Sequence, residues 1–156
     1  MSTNSKFKIQ NLKLKYRFLP NIATADLVFE AFGKNYNELF ENAGLALELA
    51  QVDLTTLDSS LTQKIEFEAE KVENLLFRFL EELVFLKDAK LLIFNTIKCK
   101  VSKSSKLWVV SCKLNGEKID REKHKLGVDV KAVTKHLFKV EKIISNSYRC
   151  QVVLDV

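Results

Sequence analysis

In three separate stretches apolar and polar residues alternate one for one, and a period of two suits a β-strand with one buried face rather than a helix. Leu12, Leu14, Tyr16 and Phe18 alternate with Lys13, Lys15 and Arg17. Ile65, Phe67 and Ala69 alternate with Lys64, Glu66, Glu68 and Glu70, and Tyr148, Cys150, Val152 and Leu154 repeat the pattern at the end of the chain. Pro20 closes the first of these strands, because proline has no N–H to give to a ladder. Residues 27–32, rich in β-branched and aromatic side chains, read as a further strand ending at Gly33.

Between the strands the period changes twice. Asn35 followed by Glu38 is a helix-start signal, the Asn side chain accepting from exposed amides while the Glu reaches back. Leu39, Ala43, Ala46, Leu47 and Ala50 then recur at helical spacing, predicting a helix to about Gln51 with Glu38, Glu41, Asn42 and Glu48 on its other faces. Leu76, Phe79, Leu80 and Leu83 predict a second helix over residues 72–86. Phe77, Phe79 and Phe85 are read as core packing.

The remainder is strand-rich. Residues 91–101 and 107–114 form a hairpin around a Ser/Lys turn at 102–106, and Asn115-Gly116 marks the next turn. A polar connection over 117–125 leads to a strand over 128–140. Two helices among about seven strands, without regular β-α-β alternation, predict an α+β fold: a single domain over residues 1–156, its helices packed on a largely antiparallel sheet, residues 1–8 flexible.

A chain of 156 residues is the size of one domain. No apolar stretch approaches the roughly 20 residues of a membrane span, and the first ten residues lack a secretory layout, so a soluble cytoplasmic protein with no membrane partner is expected. The net charge of +5 permits contact with RNA or an acidic protein, but 21 of the 25 basic residues are lysines spread over nearly every segment. Lysine lacks the planar fork that reads bases, so this distribution reads as a solvated surface. Cys99, Cys112 and Cys150 form no C-x-x-C pair and read as buried thiols with no disulfide.

Glycine-rich phosphate loops, G-x-S-x-G turns and H-E-x-x-H helices are absent from the sequence. His124 and His136 read as makers of local hydrogen bonds. More informative are Asp26, at the entry to an apolar strand, and Asp155, one residue from the end of the last strand. Two carboxylates at strand ends suit a hard divalent cation, with water, main-chain carbonyls and an oxygen of Val156 filling other positions. The competing reading of each Asp is a turn cap, and that of Lys131, which alternates with apolar neighbours, is the wet face of a strand.

Ordered segments along most of the chain resemble the archease family. Tyr16-Arg17-Phe18-Leu19-Pro20 followed by Thr24-Ala25-Asp26 is similar to the family's opening Y-x-F-L-x-H-T-A-D motif. Ala31-Phe32-Gly33-Lys34 with Leu39-Phe40-Glu41-Asn42-Ala43, and Leu75-Leu76 with Phe79-Leu80, resemble its first strand exit and two helices. Val130-Lys131-Ala132-Val133-Thr134 resembles V-K-A-[IV]-T-Y-H, and Val152-Val153-Leu154-Asp155-Val156 its ending. Asn21-Ile22-Ala23 stands where the family has a histidine before T-A-D, and Lys135 stands at the usual tyrosine.

The resemblance implies an archease-like fold and a non-catalytic protein cofactor of the RtcB-class tRNA-splicing RNA ligase, promoting its guanylylation and multiple turnover. It implies a divalent metal ion, calcium by expectation, held by Asp26, Asp155 and a main-chain oxygen of Val156. Lys131, Asp26 and Asp155 would together activate the ligase, with RNA met mainly through that partner. The alternative is a free-standing RNA-binding or chaperone-like module. A metal-dependent hydrolase is disfavoured because nothing supplies a base or nucleophile.

Overall fold

The computed structural model describes residues 14–20 and 26–156. The expected flexibility of residues 1–8, the strand residues Leu12 and Lys13, and Thr24-Ala25 lie outside them. The chain runs through β1 (Tyr16–Leu19), β2 (Asp26–Gly33), α1 (Tyr36–Gln51), a 3-10 turn (Leu54–Thr56), β3 (Leu61–Ala69), α2 (Val72–Lys90), β4 (Leu92–Ser104), β5 (Leu107–Lys118), β6 (Ala132–Ile144) and β7 (Ser147–Asp155). The seven expected strands and two helices are present, and the strands divide between two antiparallel sheets ordered β1-β2-β7-β6 and β3-β5-β4.

Helix α1 lies against β2 of one sheet and β4 of the other, while α2 lies against β6 and β3. The core forms where these layers meet, around the fully buried Phe29, Phe40, Phe79 and Phe94. Asn35 caps α1 as its sequence predicts, accepting from the Glu38 N–H at 2.9 Å. All three cysteines are free and buried, and burial pushes the Cys99 and Cys150 thiols up, Cys150 to about 12.

The polar side of α1 is not a wet face. β4 is the end strand of its sheet, so one row of its N–H groups has no neighbouring strand. The helix supplies the acceptors: Asn37 Oδ1 takes the Val101 N–H at 2.7 Å, Glu41 Oε2 that of Cys99 at 2.9 Å and Glu48 Oε2 that of Phe94 at 2.8 Å. Asn42, also expected on an outer face, is buried and donates to the Phe32 carbonyl at 2.6 Å.

Other expectations are corrected. Asn115-Gly116 is no turn but lies within β5, opposite an irregularity between Phe94 and Thr96 in β4. A Cβ at Gly116 would stand 2.0 Å from the Ile93 carbonyl oxygen, so glycine serves the close approach of two backbones. The strand expected from Val128 begins at Ala132, because Asp129 and Val130 are tied elsewhere. Of the phenylalanines read as core, Phe79 is fully buried, Phe77 stacks edge-on against Phe138, and Phe85 is 53% exposed.

Helix α2 runs to Lys90 and ends on Leu91 in the left-handed region at φ 57°. That conformation costs an L residue about 1–2 kcal/mol, and glycine is the usual occupant. Leu91→Gly is expected to raise stability by about 1 kcal/mol, since the side chain it removes is 47% exposed; urea unfolding checks this.

Candidate functional site

The sheet of β1, β2, β7 and β6 brings the residues singled out in the sequence to one of its ends. Asp26 opens β2 and Asp155 closes β7, and the two are direct partners in the antiparallel register. Directly opposed residues share a face, with Cβ atoms about 4.5–5.5 Å apart. Behind the pair, Val28, Phe29, Val152, Val153 and Leu154 are buried in consecutive runs, so this end of the sheet is covered on both faces.

Both aspartates are partly exposed, and neither carboxylate has a hydrogen-bond or ion-pair partner among the described residues. Like charges placed opposite one another in a sheet are destabilising unless a cation lies between or beside them. Val156 follows directly, partly buried against the core, which holds its main chain beside the pair.

Lys131 joins the same end through the third strand. Ala132 pairs with Asp155 across β6 and β7, and the Lys131 N–H donates to the Asp155 carbonyl at 2.8 Å. Its side chain is exposed, but it sits just before β6 rather than on a strand face as its alternation suggested. Val130, fully buried, anchors the segment on one side.

Sequence reasoning missed Lys87. From the last turn of α2 its ammonium donates to the Val130 carbonyl at 2.6 Å and to Asp129 Oδ1 at 2.5 Å, with Asp88 at 2.9 Å. This lysine therefore fixes the two residues before Lys131. The signal was present: Lys87 falls four residues after Leu83 and seven after Leu80, where the apolar stripe of the helix calls for another hydrophobic residue.

His124 is buried and makes local bonds, Nδ1 accepting from the Asp120 N–H at 3.0 Å and Nε2 lying 3.2 Å from Glu117. His136 is exposed on β6 and forms no such bond among the described residues. Neither approaches the aspartates in the register.

Two carboxylates and a nearby main-chain oxygen are an all-oxygen donor set, the kind a hard cation prefers. No group of three or more His, Cys, Asp or Glu gathers among the described residues. The set therefore fits a cation that leaves several positions to water or to a partner's oxygens, not a closed cage.

These features define a small α+β domain whose distinctive chemistry is a carboxylate pair and a lysine at one open sheet end. The model of the Archease protein family (MTH1598/TM1083) matches residues 16–156, and the chain belongs to that family. It is 38% identical to protein archease of Archaeoglobus fulgidus over 143 residues, 92% of this chain and 100% of that one. Protein archease of Pyrococcus abyssi is 35% identical over 133 residues, 85% of this chain and 94% of the relative. The solution structure of Methanobacterium thermoautotrophicum protein 1598 superimposes with a TM-score of 0.81 at 28% identity, covering 91% of this chain and 99% of that one. No described helix is long and apolar enough to cross a membrane.

Proposed function

We propose that this chain is a non-catalytic activator of the RtcB-class tRNA-splicing RNA ligase, promoting its guanylylation and multiple turnover. Membership of the archease family supports the reading. The observation that carries it is the direct opposition of Asp26 and Asp155, with Lys131 hydrogen-bonded to the main chain of Asp155.

Asp26, Asp155 and a main-chain oxygen of Val156 would hold a hard divalent cation, as oxygen donors favour, and the family resemblance makes calcium the expected ion. When bound, the ion supplies positive charge with open coordination positions toward a partner's carboxylates or phosphates. The chain's own residues do the positioning. The strand register presents the two carboxylates together, and Lys87 and buried Val130 hold the backbone from which Lys131 extends. Lys131 then offers a flexible ammonium to anionic groups of the ligase site. In the cytoplasm this end of the sheet would meet the ligase rather than RNA directly.

Guanylylation and multiple-turnover ligation by the cognate ligase test this. Wild-type protein is expected to stimulate both, while Asp26→Asn, Asp155→Asn and Lys131→Met, with unchanged unfolding midpoints, leave the ligase at its unassisted rate. Calcium titration followed by calorimetry should give heat with wild type and none with Asp26→Asn. Stimulation by all three variants would overturn the site.

A further inference from the structure

On the outer face of the β3-β5-β4 sheet, remote in the chain from the aspartate pair, the register assembles lysines that look scattered in the sequence. Lys64 of β3 is the direct partner of Lys113 of β5, and Lys113 that of Lys98 of β4. The three stand in one row across three strands, and Lys100 lies two residues from Lys98 on the same face. All four are exposed, and none makes an ion pair or side-chain hydrogen bond among the described residues. Like charges directly opposite one another work against strand pairing, so such a row is costly unless something anionic covers it.

The surroundings favour one class of anion. The lysines account for four of the residues lining a shallow depression of about 340 Å³, where the carboxylate of Glu41 is turned to the Cys99 N–H. Ser111 and the Asn115 amide are neighbouring donors on the face, suited to phosphate and sugar oxygens, while the hydroxyls of Thr62 and Thr96 already donate to Asn115 and Asn95. Of the large hydrophobic residues exposed among the described residues, none lies on β3, β4 or β5. A protein interface needs an apolar centre and is poor in lysine, whereas a phosphodiester backbone needs lysines and no apolar centre. The face turns acidic along β3 at Glu66 and Glu68, which leaves its positive charge gathered at Lys64, Lys113, Lys98 and Lys100.

We propose that this face binds the backbone of RNA, without reading its bases, through Lys64, Lys98, Lys100 and Lys113. Lysine is a point charge, and no aromatic side chain stands in the row for bases to stack on, so contact is limited to phosphates. The inference stands apart from the activator reading, because it concerns the protein alone.

Fluorescence anisotropy with a labelled 20-nucleotide single-stranded RNA, its duplex and the same sequence as DNA, across a salt series and without ligase, tests it. Wild type is expected to bind with log affinity falling against log salt, the single-strand slope being about 0.7 for each phosphate neutralised. Lys64→Gln/Lys98→Gln/Lys113→Gln should lower affinity about tenfold or more and reduce that slope by about 2. Lys90→Gln/Lys125→Gln/Lys142→Gln removes the same charge from exposed sites elsewhere and should leave both nearly unchanged. Equal loss in the two variants, or no binding by wild type at low salt, overturns the proposal. So does a row variant that binds RNA normally yet fails to stimulate the ligase, which would assign the face to an acidic protein surface. Tighter binding of the DNA strand than of the RNA of the same sequence overturns the assignment to RNA.

Discussion

Replacing Glu48 by Gln should flatten the pH dependence of stability between pH 4.5 and about 8 and make the protein more stable at the upper end by about 4 kcal/mol. Glu48 is fully buried, and burial raises its pKa from 4.5 to about 8 against the lowering effects of the Phe94 N–H and the more distant Lys87 ammonium. Within this window the unfolded chain gives up the proton that the folded chain keeps. Stability contributed by the protonated group is therefore complete below pH 4.5 and is lost as pH rises toward 8, at about 1.4 kcal/mol per unit. Glutamine has the same shape, offers its carbonyl to the Phe94 N–H that Glu48 now holds at 2.8 Å, and carries no charge to desolvate. Urea unfolding at pH 5 and pH 8 checks this: the two proteins should be close at pH 5 and well separated at pH 8. Parallel pH profiles would mean that Glu48 is ionised in the folded protein.

Loss of Glu30 should be strongly damaging to the β1-β2-β7-β6 sheet. Glu30 is 2% exposed at the middle of β2, where one carboxylate oxygen takes Arg17 Nε and the other takes a terminal nitrogen of Arg149, both at 2.7 Å. Arg149 reaches on to Glu141 at 2.8 Å, so the carboxylate ties β1, β2, β7 and β6 together across the sheet. Glu30→Ala removes the negative centre and leaves two guanidinium groups facing one another. Breaking a buried pair costs about 3–5 kcal/mol, and partial exposure of both arginines puts the expected loss near 3 kcal/mol. For a domain of this length that corresponds to a fall of roughly 6–12 °C in Tm, read by calorimetry. Glu30→Gln keeps an acceptor for one arginine and should lose roughly half as much.

Much of this fold could be read in advance because local periodicity reports burial. The alternation at Ile65, Phe67 and Ala69 placed β3, and the spacing of Leu39, Ala43, Ala46 and Leu47 placed α1 with its buried side. The same logic failed where a residue faces another element instead of water. Glu41 and Glu48 carry the signature of a wet helical face, yet they cap the unpaired N–H row of β4, an edge that exists only once β4 has become the last strand of its sheet. Gly116 looked like a turn because Asn-Gly usually is one, and only the approach of the Ile93 backbone explains its place inside β5.

The candidate site divides in the same way. Position in the chain put Asp26 and Asp155 at strand ends and suggested a shared cation, and the family resemblance grouped them with Val156 and Lys131, but neither supplied the geometry. Their direct opposition, the attachment of Lys131 to Asp155 and the grip of Lys87 on Val130 come from pairing between strands far apart in the chain. The lysine row of Lys64, Lys113 and Lys98 arises likewise, from register and not from composition. The sequence by itself determined which side of each element is apolar, because that depends on neighbours three or four residues away at most. The tertiary structure decided which polar groups meet, because that depends on the one register that buries every apolar face at once.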